Sequence, residues 1–329
     1  MLVLAALIAF ASPAPGPHVA PMPHPARGWV ERHTFTHKAP VTAVTAIADA
    51  FATADRDGVV QLWDAQTGAL RETLLDGTNE LLRPVDFLRP TPDGKRLNIG
   101  SRDRVSVAQY VVIGKDRGLF GPISGFRPVA PRSDGTWLVV QGDQEEMVGT
   151  LKVDFMLNGS ISLNISTGFA HTERVQLVAP GGSAVATVDA RNTLRHWSSR
   201  PDGSESKLLW ALDLKLDPTA LAVSPDGAMI AVGGDEGAVE VFGAEKGKRL
   251  ATLKGHKGAV RAVTFAPDSG LIVTGGEDGT VRFWNPWTGE PEERLKDHAG
   301  PVTAVWFAAD ETLVTASDDK TARVWVYKP

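Results

Sequence analysis

From Trp29 to the C-terminal end, apolar residues fall in short runs, many alternating with polar ones and separated by Gly, Pro, Asn and Asp at close spacing. No long stretch repeats its apolar positions with the period of an amphipathic helix, so the pattern predicts short strands joined by tight turns. The expected fold class is all-β. The N-terminal segment reads differently. Leu2 to Phe10 is an unbroken apolar run, too short to span a bilayer, and a proline-rich stretch from Ser12 to Pro25 follows it. The run matches the apolar region of a secretory signal peptide, with Ala9-Phe10-Ala11 as a small-x-small cleavage site, although no Lys or Arg precedes it. The expected organisation is a signal peptide at 1–11, a stiff extended linker at 12–26 and a folded domain at 27–329. A secreted, periplasmic or cell-envelope location follows from that reading. A retained membrane tether, or a cytoplasmic protein with a misassigned start, are the alternatives.

Self-comparison adds a repeat. His37-Lys-Ala-Pro-Val-Thr-Ala-Val, His256-Lys-Gly-Ala-Val-Arg-Ala-Val and His298-Ala-Gly-Pro-Val-Thr-Ala-Val superimpose, and His171-Thr-Glu-Arg-Val-Gln-Leu-Val keeps the same frame. Three of these segments lead into Asp57-Gly-Val-Val-Gln-Leu-Trp63, Asp278-Gly-Thr-Val-Arg-Phe-Trp284 and Asp319-Lys-Thr-Ala-Arg-Val-Trp325. A threonine stands four residues before each aspartate, at Thr53, Thr274 and Thr315, and Trp63 is followed by Asp64. These positions resemble the structural tetrad of WD40 repeats, in which His, Ser/Thr, Asp and Trp form a buried hydrogen-bond chain. The physical logic is sound: a buried indole N–H needs an acceptor and a buried carboxylate needs donors, and His and Thr between them satisfy both.

The resemblance implies a β-propeller of four-stranded antiparallel blades. Proline-aspartate turns at Pro92-Asp93-Gly94, Pro225-Asp226-Gly227 and Pro267-Asp268 help to count them. The last two prolines are 42 residues apart and the first two 133 apart, or three units of about 44. Seven blades are expected, near 37–76, 82–121, 123–168, 171–214, 217–254, 256–296 and 298–328. The last holds three strands, and Trp29 to Phe35 supplies its fourth, closing the ring without open edges. Six blades with one long insertion is the alternative. The match is uneven. The fourth copy keeps His171, Thr187 and Trp197 but has Arg191 where Asp is expected, and the fifth has Asp217, Glu236 and Phe242 in place of His, Asp and Trp. The second and third copies lose most of the tetrad, although Asn158-Gly159 in the third is a good hairpin turn.

Composition narrows the chemistry. Hydrophobic residues make up 43% and charged residues 22%, with 33 Gly, 22 Pro and no Cys, so disulfides, thiolate metal sites and a cysteine nucleophile are excluded. A net charge of −5 argues against a nucleic-acid partner. Four of the eight histidines fall in the tetrad frame; His18 and His24 lie in the linker, and His33 and His196 have no ligand-like spacing. The acidic run Asp143-Gln144-Glu145-Glu146 reads as a solvated hairpin loop, and Asp318 as part of a turn beside Asp319. No nucleophile elbow, phosphate-cradling loop or His-Glu-x-x-His stretch is present, and neither metal nor cofactor is expected. The expected function is a non-catalytic, monomeric scaffold that binds a protein or peptide on one face. Lys38, Arg56, Arg102, Arg104, Lys257 and Glu277 are candidates for that surface, while Trp306 reads as core. An envelope enzyme or ligand-binding propeller using the central channel is the alternative.

Overall fold

A computed structural model describes residues 28–328, apart from 92–93, 102–105, 112–117, 125–126, 132–136, 142–145, 156–160, 172–174, 182–183, 200–205 and 308–311. For the strands between residues 106 and 171, only the backbone pairing is described. The leader and linker, Arg102, Arg104, the turns at Pro92-Asp93 and Asn158-Gly159, residues 143–145 of the acidic run and the His171 side chain therefore lie outside the described residues.

The alternating and short apolar runs form strands that pair, among the described residues, into seven four-stranded antiparallel sheets. Six sheets are made of consecutive strands, spanning 41–76, 87–124, 127–171, 175–213, 218–254 and 260–295. The seventh begins with Val302–Phe307, continues through Thr312–Ser317 and Thr321–Tyr327, and takes its outer strand from the other end of the domain, Trp29–Thr36. Trp29 lies opposite Tyr327 and Thr36 opposite Thr321. No helix among the described residues is long and apolar enough to cross a membrane.

The leading strands of successive sheets lie side by side. Val41–Ile47 packs against both Phe87–Pro90 and Val302–Phe307, and Pro218–Val223, Val260–Phe265 and Val302–Phe307 form an unbroken series. Apolar layers fill the seams. Phe35, Val44, Trp63 and Val324 pack between the seventh and first sheets, while Phe283, Val302, Leu313 and Trp325 pack between the sixth and seventh. The second strands, Ala50–Asp55, Met229–Gly234 and Thr312–Ser317, are buried along their whole length, which explains why they read as near-continuous runs of small apolar residues and not as alternating ones. Close approach matters at Gly275, where an added Cβ would stand 2.5 Å from Val302 Cγ1 of the next sheet.

One irregularity recurs. In the first, fourth, fifth, sixth and seventh sheets the pairing of the leading strand with its neighbour slips at the second residue, between Val41 and Ala43, Val175 and Leu177, Pro218 and Ala220, Val260 and Ala262, and Val302 and Ala304. A bulge of this kind frees one residue from the ladder and re-aims it. Three of the freed residues are threonines, and each donates its hydroxyl across the seam to a backbone carbonyl of the next sheet or of the segment leading into it. Thr42 reaches Val85 O at 2.5 Å, Thr219 reaches Val260 O at 2.7 Å and Thr303 reaches Val41 O at 2.5 Å. In the sixth sheet the freed residue is Arg261.

Candidate interaction face and the buried networks behind it

Behind the loops that enter the leading strands lie three hydrogen-bond chains of the same design. In the sixth sheet the Trp284 indole donates to Thr274 Oγ1 at 2.8 Å, His256 Nε2 is 2.7 Å from the same hydroxyl, and His256 Nδ1 is 3.0 Å from Asp278 Oδ1. In the seventh, Trp325, Thr315, His298 and Asp319 repeat this at 3.0, 2.8 and 3.0 Å. A neutral imidazole donating from Nδ1 and accepting at Nε2 satisfies every group in line. Burial alone would raise the Asp278 and Asp319 carboxyls. Hydrogen bonds from Thr280 and Thr321 and from the two histidines outweigh it, holding both at about 2. Burial pushes His256 and His298 below the ordinary imidazole value, against the pull of those carboxylates.

The first sheet departs from the expected pattern. Trp63 donates to Thr53 at 2.8 Å and His37 Nε2 meets Thr53 at 2.7 Å, but His37 Nδ1 meets Asp55 at 3.0 Å and not Asp57. Thr53 and Asp55 are two apart on one strand and so share a face. Asp55 Oδ1 also accepts the backbone N–H groups of Asp57 and Val59, capping the turn from inside. Asp57 is displaced outward, where it pairs with Arg83 at 2.9 Å. The fourth sheet uses the same device. Trp197 donates to Thr187 at 2.9 Å, and the buried Asp189 accepts from the N–H groups of Arg191 and Thr193 and pairs with Arg195. Arg191 is thus an exposed turn residue beside the aspartate and does not replace it. Asp55 and Asp189 were missed in the sequence, although a shared Thr-x-Asp at 53–55 and 187–189 was the available signal.

These networks consume the histidines and their aspartates, and no group of three or more His, Asp or Glu poised to hold a metal occurs among the described residues. What faces outward is a charged rim. Lys38 and Lys257 are exposed at matching positions after His37 and His256. Arg56 reaches Asp318 at 3.1 Å, joining the turns of the first and seventh sheets. A recess of about 400 Å³ is lined by Thr219, Ala259, Arg261 and Thr303. Arg261 pairs with Glu277 at 2.8 Å, and Glu277 also accepts the Ala259 N–H. The Arg261 bond, then that N–H, hold the Glu277 carboxyl below its usual value. Glu277 is tied to the recess through Arg261, and Arg56 pairs with Asp318. Arg261 was not among the expected surface residues, yet it stands where the aligned copies hold Thr42 and Thr303. Trp306 is partly buried, against the core between the first and seventh sheets.

Comparison with known proteins agrees with this geometry. In fold, the chain is similar to the computationally designed Ika8 protein, seen in a crystal structure, with a TM-score of 0.67 at 20% identity over 91% of this chain and 99% of that one. The family model described as WD domain, G-beta repeat matches residues 29–64, 247–285 and 289–326, the stretches that contain the first sheet's Trp63 and the complete networks of Trp284 and Trp325. The chain carries WD40 repeats in these three segments.

Proposed function

We propose that the chain is a seven-bladed WD40 propeller, closed by the pairing of Trp29–Thr36 with Thr321–Tyr327, that works as a non-catalytic scaffold for a protein or peptide partner. The observation that carries the reading is the division of labour just described. The tetrad histidines and the aspartates bonded to them are spent on buried chains, while a recess lined by Arg261, which pairs with Glu277, stays open. WD40 repeats and a partner-binding role go together in general. Lys257, Arg261 and Glu277 are the residues proposed to meet the partner first, with Lys38 and Arg56 flanking them. The apolar run at 1–11 supports a secreted or envelope setting for that encounter.

The test is capture with the tagged full-length protein from envelope and soluble fractions, identifying co-eluting proteins and the mature N-terminus by mass spectrometry. A stoichiometric protein partner, lost with Arg261→Ala and Glu277→Ala while the unfolding midpoint holds, is the expected result. Unchanged capture by both variants and by Lys257→Ala would remove the recess from the proposal.

A further inference from the structure

Arg89 and Trp306 hold equivalent places on two leading strands. Leu88 lies opposite Ile99, Val305 opposite Thr315 and Val44 opposite Thr53, so Arg89, Trp306 and Thr45 each follow by one the residue paired with that second-strand position. Phe87–Pro90 and Val302–Phe307 flank Val41–Ile47 on its two sides. The Arg89 and Trp306 side chains nonetheless meet, with the guanidinium carbon 4.1 Å from the indole centroid, and so they bridge the strand that carries the wholly buried Thr45.

Trp306 Nε1 is buried with no hydrogen-bond partner. Among the described residues no carboxylate pairs with Arg89, and its only contact of note is the indole face. Burial pushes the guanidinium down to about 10, leaving it charged at neutral pH. A half-buried guanidinium with no carboxylate beside it among the described residues and a buried indole N–H with no acceptor are relieved by the same kind of group. The four other described positions in this register hold Thr45, Ala179, Ala222 and Thr264, none of which is acidic.

We propose that Arg89 and Trp306 form a binding site for a small oxyanion, a carboxylate or phosphate group held by the guanidinium fork and the indole N–H. A planar, weakly hydrated guanidinium suits both geometries, because either anion offers two oxygens to its parallel N–H groups. The indole face holds the guanidinium through a cation–π contact. The site is independent of the charged recess around Arg261, so either can fail alone.

The experiment uses full-length protein exchanged into a chloride buffer, titrated at constant ionic strength with phosphate, sulfate or acetate while the unfolding midpoint and tryptophan fluorescence are followed. The expected result is a saturable rise in midpoint with at least one anion; phosphate and sulfate acting alone would mark a tetrahedral ligand, and acetate alone a carboxylate. Arg89→Gln removes the response and, without anion, is at least as stable as the parent, since it deletes an uncompensated charge. Trp306→Phe keeps the stacking and weakens binding roughly tenfold by removing one charge-assisted hydrogen bond. Should Arg89→Gln fold poorly, Arg89→Lys, which keeps charge without the fork, and Trp306→Phe decide the matter. A response that does not saturate, or one equal in the parent and every folded variant, overturns the site.

Discussion

Carboxylate, imidazole, hydroxyl and indole in line leave no polar atom of the chain unmet, and removing any one strands its neighbours in a dry place. Asp55 closes the first chain and also caps the turn through the Asp57 and Val59 N–H groups, so Asp55→Ala is expected to cost about 1–3 kcal/mol in denaturant unfolding. Asp57→Ala removes only an exposed pair with Arg83 and should cost under about 1 kcal/mol. Equal costs would mean that the turn carboxylate, not the strand carboxylate, serves His37. The same chains set a pH response. His256 and His298 titrate lower folded than the ordinary 6.5, so the unfolded chain binds protons first and stability falls as pH drops below about 6.5. Asp278 and Asp319, held at about 2 against 3.8, add a second loss between roughly pH 4 and 2. Midpoints measured from pH 7.5 to 3 should show both limbs, and His256→Gln with His298→Gln should flatten the upper one. A profile without the upper limb in the parent would contradict neutral, buried imidazoles. The placement of Thr53, Thr274 and Thr315 ten residues before Trp63, Trp284 and Trp325 was legible because strand spacing is regular. The choice between Asp55 and Asp57 was not, because both lie within one turn of His37 and only side-chain direction separates them.

At the scale of the strand, a bulge at the second residue of the leading strand, repeated in five of the seven described sheets, frees that residue from its ladder. Thr42, Thr219 and Thr303 use that freedom to tie seams together, whereas Arg261 points into the recess and meets Glu277. The sixth-to-seventh seam therefore forgoes a bond that those three seams have. Arg261→Thr should restore it by donating to Val302 O, raising stability by about 0.5–1.5 kcal/mol while weakening partner capture. Calorimetry and a pull-down on the same preparation measure the two effects together; a destabilised variant would show that the arginine itself braces the seam. Strand existence was readable from turn residues and alternation, but the bulges were not. They add no turn residue and break no apolar run, and show only in which carbonyl each threonine finds.

Across the whole molecule, the strand Trp29–Thr36 joins the two ends of the domain and places an aromatic group in each neighbouring seam. Phe35, 1% exposed, stacks on Trp63 of the first sheet at 4.6 Å, and Trp29 stacks on Phe283 of the sixth at 5.3 Å. A strand was legible at Trp29 to Phe35 because the last repeat held only three, whereas the partners of its aromatics lie far off in sequence and no local pattern identifies them. Because this strand pairs with Thr321–Tyr327, its removal would bare the ladder edge that carries Trp325 and empty two apolar seams at once. Phe35→Ala alone should cost about 3–5 kcal/mol, the range for a buried aromatic that leaves a cavity. A chain lacking residues 1–36 should lose more, and its free edge should drive concentration-dependent association visible in sedimentation velocity. A synthetic peptide of residues 28–36 would then be expected to restore both the monomer and most of the midpoint in a saturable way, since the strand's contribution is made by pairing and not by covalent linkage. If the truncated chain instead stayed monomeric with the parent's midpoint, or if the peptide changed nothing, the strand would be peripheral and the closed ring proposed for this protein would have to be abandoned.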